Sequence, residues 1–327
     1  MDVRFSAEQA ALRDSVVQVV DRFGPKAVPQ LDDAERAAKL DAAVDAAGWR
    51  ELRTADEGGR PWASGVEAAI VAEELARGVA DVAFVGPTLA AELRRLCGSS
   101  TASAGARETV GLTSDLGAPG VDIAVDAAGA ASALGLDGGD VVELSVGGPL
   151  PPVDLTRPCT AVTRGQVIGA LAHDDTTRWT ALGLALACAD LVGTMRGAVE
   201  LSRLYAQERR QYGVAVGSFQ AVQHLLADAY VSMEGSRSVA LHAAWAVDAL
   251  PPADALAAAS TAKAYCSRAA RAVCETAIQV HGGIGNTWDC LAHVFLRRAL
   301  LSIDLLGGEG PSLTLVLAHR GVRDGLR

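Results

Sequence analysis

Apolar residues in the first hundred positions recur at helical spacing. Leu12, Val16, Val19 and Val20 fall on one face, and Ser6 with Gln9 three residues later predicts a capping box in front of them. The same period predicts a second helix over 33–47, stopped by Gly48. A polar loop with Gly58, Gly59 and Pro61 follows, then helices over 66–77, broken by Gly78, and over 87–96. Between 98 and 172 the texture changes to Gly, Ala, Ser, Asp and Pro. Short β-prone runs there, at 110–112, 121–125, 141–146 and 160–163, predict a small β unit with many tight turns. The helical period returns from about 176, in long segments near 177–209, 217–248, 253–280 and 288–306, with Pro251 and Pro252 between the second and third. The chain therefore reads as mainly α with a small β insert, divided into helices over 1–97, a reduced β domain over 98–172 and a helical bundle over 173–327.

Composition narrows the classes. A chain of 327 residues, half of them hydrophobic, can bury a sizeable core in two or three packed sub-regions without disulfides or metals. A net charge of −10 argues against a nucleic-acid surface, which needs clustered Lys and Arg. No basic-then-apolar leader opens the chain, and the longest apolar run, 181–194, is interrupted by Asp190. A buried helix is expected there rather than a membrane span. The six cysteines (97, 159, 188, 266, 274 and 290) form no CxxC pair and no Cys/His cluster, so buried thiols in a reducing cytoplasm are expected. His281, His293 and His319 are scattered and predict no metal set. Trp49, Trp62, Trp179, Trp245 and Trp288 are expected as core or interface anchors.

Two segments carry candidate chemistry. The run 208–230 begins with a basic pair at a helix end, followed by a Tyr-Gly break. Taken alone it reads first as a solvated helix end whose cations favour the dipole, and second as a guanidinium fork for phosphate or carboxylate. The run 279–289 joins two helices through Gly282, Gly283 and Gly285. Lacking Cβ atoms, these residues let backbone N–H groups approach a ligand, and a helix start beyond them offers its positive dipole end. A plain helix–helix turn that needs positive φ uses glycine too. No strand precedes the loop, which excludes a dinucleotide fingerprint of the Rossmann type.

Together the two segments resemble motifs of the acyl-CoA dehydrogenase superfamily. Arg209, Gln211, Tyr212, Gly213, Phe219, Gln220, His224, Leu226, Ala227 and Asp228 match its R-x-Q-F-G…F-Q-x-x-x-H-x-L-A-D pattern. Gln279, Gly282, Gly283 and Gly285, followed by Thr287 and Asp289, match its Q-x-x-G-G-x-G pattern. Fainter matches are the F-S-A-E-Q start, Gly48-Trp49, Gly58-Gly59 and Glu73-Glu74-Leu75. The resemblance implies an N-terminal helical domain, a middle β domain and a C-terminal four-helix bundle, assembled as dimers or dimers of dimers. It implies an oxidoreductase using FAD to desaturate an acyl-CoA thioester and passing electrons to an electron-transfer flavoprotein. It further implies that Arg209, Gln211 and Tyr212, with Gln279, Gly282, Gly283, Gly285, Thr287 and Asp289, hold the ADP half of an FAD bound mainly by the neighbouring subunit. Arg209 would face the pyrophosphate, and Asp289 would serve as a ribose contact or helix N-cap.

The chain departs from the family pattern at two places. The T-E-P-x-A-G-S-D-like segment that contacts the flavin ring survives only as fragments in 108–120, where Thr113 and Ser114 read mainly as a turn. The family's catalytic glutamate occupies one of two positions, and here these fall on Gly183 and near Leu306. Glu309-Gly310 resembles the family's E-G-T segment, which makes Glu309 the candidate base, against a surface glutamate in a Gly-rich turn. The resemblance favours the shortened partner subunit of actinobacterial heteromers, many linked to steroid breakdown, in which a second acyl-CoA dehydrogenase subunit carries catalysis. A self-sufficient homo-oligomer using Glu309 and a flavin-free scaffold are the alternatives.

Overall fold

The computed structural model describes residues 4–99 and 106–321. Four helices come first: α1 (Ala7–Phe23), α2 (Ala34–Ala46), α3 (Gly65–Arg77) and α4 (Val85–Leu96). The expected capping box starts α1, with the Ser6 hydroxyl accepting from Gln9 N and the Gln9 side-chain Oε1 accepting from Ser6 N. A second box, Ser64 with Glu67, starts α3. Asp33 caps α2 by accepting from Arg36 N.

Five strands follow: β1 (Glu108–Leu112), β2 (Ile123–Val125), β3 (Ser132–Asp137), β4 (Asp140–Pro149) and β5 (Thr160–Ala170). They close into a barrel in the order β1-β2-β5-β4-β3, with β1 and β3 parallel and the other neighbours antiparallel. Closure removes the edges that so small a sheet would otherwise expose. Val110, Leu112, Leu134, Val142 and Leu144 are fully buried along its strands.

The last part is helical: α5 (His173–Glu208), α6 (Gln220–Ala249), α7 (Pro252–His281), α8 (Ala292–Asp304) and α9 (Glu309–His319). A two-residue hairpin, β6 (Arg210–Gln211) with β7 (Val214–Ala215), connects α5 to α6. At 36 residues α5 is about 54 Å long and forms the axis of the molecule. Its residues from Ala181 to Met195 are buried on every face, which is why its hydrophobicity shows no polar stripe. By length and composition α5 could cross a membrane, but 89% of its apolar stretch is covered by protein. The stretch 292–319 passes the same test, although it comprises two separate helices.

A buried polar network ties the barrel to the bundle. Arg298 on α8 donates to Asp190 of α5 at 2.6 and 3.1 Å, and Ser302 donates to the same carboxylate at 2.7 Å. Arg157, after β4, donates to Asp154 at 2.9 Å and to Ser302 at 2.7 Å. Burial alone would raise the Asp190 pKa, but the Arg157 and Arg298 guanidiniums hold it below the ordinary carboxylate value.

Candidate functional site

The hairpin after α5 presents the first motif. Tyr212 and Gly213 at its tip have φ of 52° and 82°, the left-handed pair that a two-residue hairpin requires. Tyr212 is consequently thrown outward and is 94% exposed, with the Phe219 ring edge-on to it at a centroid distance of 6.3 Å. Arg209 is the C-cap residue of α5, and its carbonyl accepts from Val216 N at 2.8 Å across the base of the hairpin. Its guanidinium and the Gln211 amide are exposed and make no side-chain hydrogen bond or ion pair among the described residues.

The second motif ends α7. Gly282 has φ 66°, and a Cβ there or at Gly283 would meet nothing within 4 Å, so both backbones lie open. Gly285 is different: it is buried, and a Cβ would press on the Ile278 carbonyl at 2.9 Å, so this glycine serves packing. Thr287 folds its hydroxyl back onto the Ile284 carbonyl at 2.8 Å, and Gln279 and Asp289 are exposed. The N-cap of α8 is Leu291, which rules out Asp289 as that helix's N-cap.

One aromatic contact brings the motifs together. Tyr205, four residues before Arg209, stacks on His281, one residue before Gly282, with centroids 4.4 Å apart and planes 29° off parallel. The Tyr205 hydroxyl reaches the His281 carbonyl at 3.4 Å, and His281 Nδ1 donates to the Ala277 carbonyl at 2.7 Å. Burial holds the imidazole below its ordinary pKa, so the stack is between uncharged rings at neutral pH. The result is an exposed cradle to which α5 brings a guanidinium and an amide and α7 brings the Cβ-free surface of Gly282–Gly283, whose first N–H donates back to the Ile278 and Gln279 carbonyls. This donor set suits a diphosphate and its ribose. Tyr205 was not legible as a site residue, because its role is to position the motifs rather than to extend either of them.

The positions that the family uses for ring and base are arranged differently. Gly183 on α5 and Leu306 after α8 face each other, and a Cβ on Gly183 would collide with Leu306 Cδ1 and lie 3.6 Å from both Leu89 methyls. Leu306 is buried and holds a left-handed φ of 58°, a strained conformation for a branched side chain. Its N–H donates at 2.7 Å to the carbonyl of Leu116, itself at φ 63°, in the β1–β2 loop. Thr113 and Ser114 belong to the same loop, and Thr113 N donates to Ala118 O at 3.0 Å while Ser114 N donates to Asp122 at 3.0 Å. That loop is therefore a self-contained turn resting on Leu306, and the two would have to part to admit a flat ring system.

Glu309 lies three residues further on, as the first residue of α9, where it forms an ion pair with the exposed Arg268. It is partly exposed and is not brought to the Gly183–Leu306 contact. Lys263 of α7 fixes the same turn from beneath, donating to the Ser302 and Leu305 carbonyls at 2.7 and 2.6 Å. Among the described residues no group of three His, Cys, Asp or Glu side chains is placed to hold a metal. The residues present thus fit the ADP half of a flavin dinucleotide and do not fit its ring.

Comparison with known proteins bears on the same elements. The model of the acyl-CoA dehydrogenase C-terminal domain matches residues 180–320. The acyl-CoA dehydrogenase IpdE2 of Mycolicibacterium smegmatis is 33% identical over 159 residues, 49% of this chain and 48% of that protein, so the match spans about half of that relative. IpdE2 of Mycobacterium tuberculosis is 30% identical over 319 residues, 91% of this chain and 93% of its own length. Among solved structures, the ChsE4–ChsE5 complex of Mycobacterium tuberculosis superposes with a TM-score of 0.81 at 23% identity, covering 98% of this chain and 99% of that one. The Tcur3481–Tcur3483 steroid ACAD G363A variant gives 0.80 at 22% identity, covering 96% and 98%. With helices at both ends, a barrel between them, both motifs in one cradle and a near full-length relative, the chain belongs to the acyl-CoA dehydrogenase family.

Proposed function

We propose that this chain is the supporting subunit of a heteromeric, FAD-dependent acyl-CoA dehydrogenase, completing from the adenosine side a flavin site whose ring pocket and base belong to a catalytic partner. The observation that carries this reading is the contrast between the open cradle at Arg209, Gln279 and Gly282–Gly283 and the closed contact of Gly183 with Leu306. A carboxylate base needs a dry pocket beside the substrate α-carbon. Here one of the two family positions has no side chain and the other is aliphatic, and Glu309 is engaged by Arg268 at the surface.

The chemistry that a bound FAD would supply is acceptance of a hydride from the acyl β-carbon. Arg209 would bind the pyrophosphate through its guanidinium, and the Gly282 and Gly283 backbones with Gln279 would lie against the adenosine. Exposed apolar side chains run from the hairpin along α6: Tyr212, Val214 and Phe219 on and after the hairpin, then Leu225, Tyr230 and Val231 in the first half of α6. Such a cluster on a helix that has polar cover elsewhere marks a protein contact. The superposable structures named above are two-component assemblies by name, and one is a steroid enzyme. A CoA thioester is the substrate class, and an electron-transfer flavoprotein is the expected electron acceptor.

The test is the 300–500 nm absorbance spectrum of the chain purified alone and co-purified with an acyl-CoA dehydrogenase encoded beside it. The reading expects a colourless chain that acquires a flavin spectrum with its partner. A flavin-loaded homo-oligomer that oxidises acyl-CoA unaided would overturn it and make Glu309 the first residue to replace. A complex that forms without flavin would identify a scaffold.

A further inference from the structure

Beside the cradle stands a side chain that no motif of the two segments explains. Trp288 follows Thr287 in the glycine-rich connection and is 61% exposed, although a tryptophan usually covers most of its ring. Its position is nevertheless fixed. The His293 ring meets it edge-on at 5.0 Å and 80°, and the Arg297 guanidinium lies over it, 5.9 Å from the ring centroid. Arg297 is itself anchored to the Val153 carbonyl at 3.3 Å. Burial and the nearby Arg297 charge hold His293 below the ordinary imidazole pKa, which leaves it as a neutral packing partner. The indole is therefore a preset flat surface, held by a cation and an imidazole while most of it stays exposed.

We infer that Trp288 is the platform on which the adenine of the bound dinucleotide stacks. This rests on the flavin-site reading above and goes beyond it by giving the adenine, rather than the diphosphate, a residue of its own. Three features agree. A flat aromatic surface matches a purine face, and such stacking is sequence-tolerant and substantial. The Arg297 guanidinium over the ring adds cation–π polarisation and a positive charge beside it. The open Gly282–Gly283 backbone, the surface for the adenosine, precedes Trp288 in the same connection, so the base would continue from it onto the indole.

The experiment uses the co-purified complex stripped of flavin, comparing the native chain with Trp288→Ala and Trp288→Phe. The ring is mostly solvent-exposed, so neither variant should disturb folding, and the phenylalanine variant keeps a smaller platform. Binding is read with ADP and with FAD by calorimetry, and with FMN, which lacks adenine, as the control. Trp288→Ala should weaken ADP and FAD alike by about tenfold, Trp288→Phe by less, and FMN binding should not change. Native complex should also lose indole fluorescence on ADP addition, a change absent in Trp288→Phe. ADP affinity within twofold of native in Trp288→Ala overturns the inference. Dissociation of the complex by Trp288→Ala with nucleotide affinity intact also overturns it, assigning the residue to the protein contact. A native complex that binds neither ADP nor FAD removes the flavin-site reading itself, which separates the two failures.

Discussion

The Leu306 side chain lies directly over the α-carbon of Gly183, and that contact occupies the space between the two positions where the family carries its base. Neither residue alone would be telling. Glycine inside a long buried helix costs helical stability, and a leucine at φ 58° carries strain. Each makes sense only with the other. Gly183→Ala should therefore destabilise the fold by about 1–2 kcal/mol through overpacking. Leu306→Ala in the same chain should recover part of that loss, giving a non-additive cycle in urea titrations. Simple additivity would mean the two side chains do not share the space.

Ten residues along α5, Gly193 gives a harsher case. A Cβ there would collide with the Glu73 carbonyl of α3 and crowd the Ala76 Cβ at 2.9 Å. Backbone of a packed helix cannot swing aside as a leucine methyl can. Gly193→Ala should cost about 3 kcal/mol or more, visibly more than Gly183→Ala in parallel thermal melts. A smaller loss at Gly193 would show that α3 and α5 can separate without penalty.

How far the molecule could be read beforehand depended on the range of the forces involved. Helices α2, α3, α6 and α7 lie within three residues of their expected ends, because caps, Gly78 and the Pro251–Pro252 pair act locally. β3 was missed, since Ser132–Asp137 has no β-branched residue and is held by its neighbours in the barrel. α9 was missed because 307–311, with Gly307, Gly308, Gly310 and Pro311, reads as a loop, whereas Glu309 opens a helix. Arg209 and the glycine connection stand out in the sequence as candidates because each motif is contiguous. The Tyr205–His281 stack, the Leu116–Leu306 hydrogen bond and the Trp288 surface join residues far apart in sequence or depend on exposure, which no local pattern records.

Arg209 offers a clean separation of binding from stability. Its side chain is exposed and has no partner among the described residues, so Arg209→Ala should leave the melting temperature of the isolated chain unchanged. In the assembled complex the same change removes a charge-assisted phosphate contact worth roughly 1.5–3 kcal/mol. Flavin should then dissociate at concentrations about ten- to hundredfold higher, seen as loss of 450 nm absorbance from the protein fraction when diluted complex is desalted. Unchanged occupancy would remove Arg209 from the site.

The buried amine of Lys263 makes a prediction about pH. Burial lowers its pKa from the ordinary 10.5 to about 8, and the Ser302 and Leu305 carbonyls receive its protons. Below pH 8 the amine is protonated in folded and unfolded chains alike, so it contributes no pH dependence. Between about pH 8 and 10.5 the unfolded chain binds more protons than the folded one, and stability from this group must rise with pH. The full gain is roughly 3 kcal/mol. Cysteines push the other way, because the hydrogen bond to Cys188 and then burial raise the Cys266 thiol while unfolded thiols ionise in this range. Lys263→Met keeps both thiols and removes only the amine. The native-minus-variant difference in unfolding free energy, measured in urea at pH 7, 8.5 and 10, should therefore climb steadily with pH. A flat difference would mean that Lys263 keeps its proton in the core up to pH 10, with the two carbonyls offsetting the whole cost of burial.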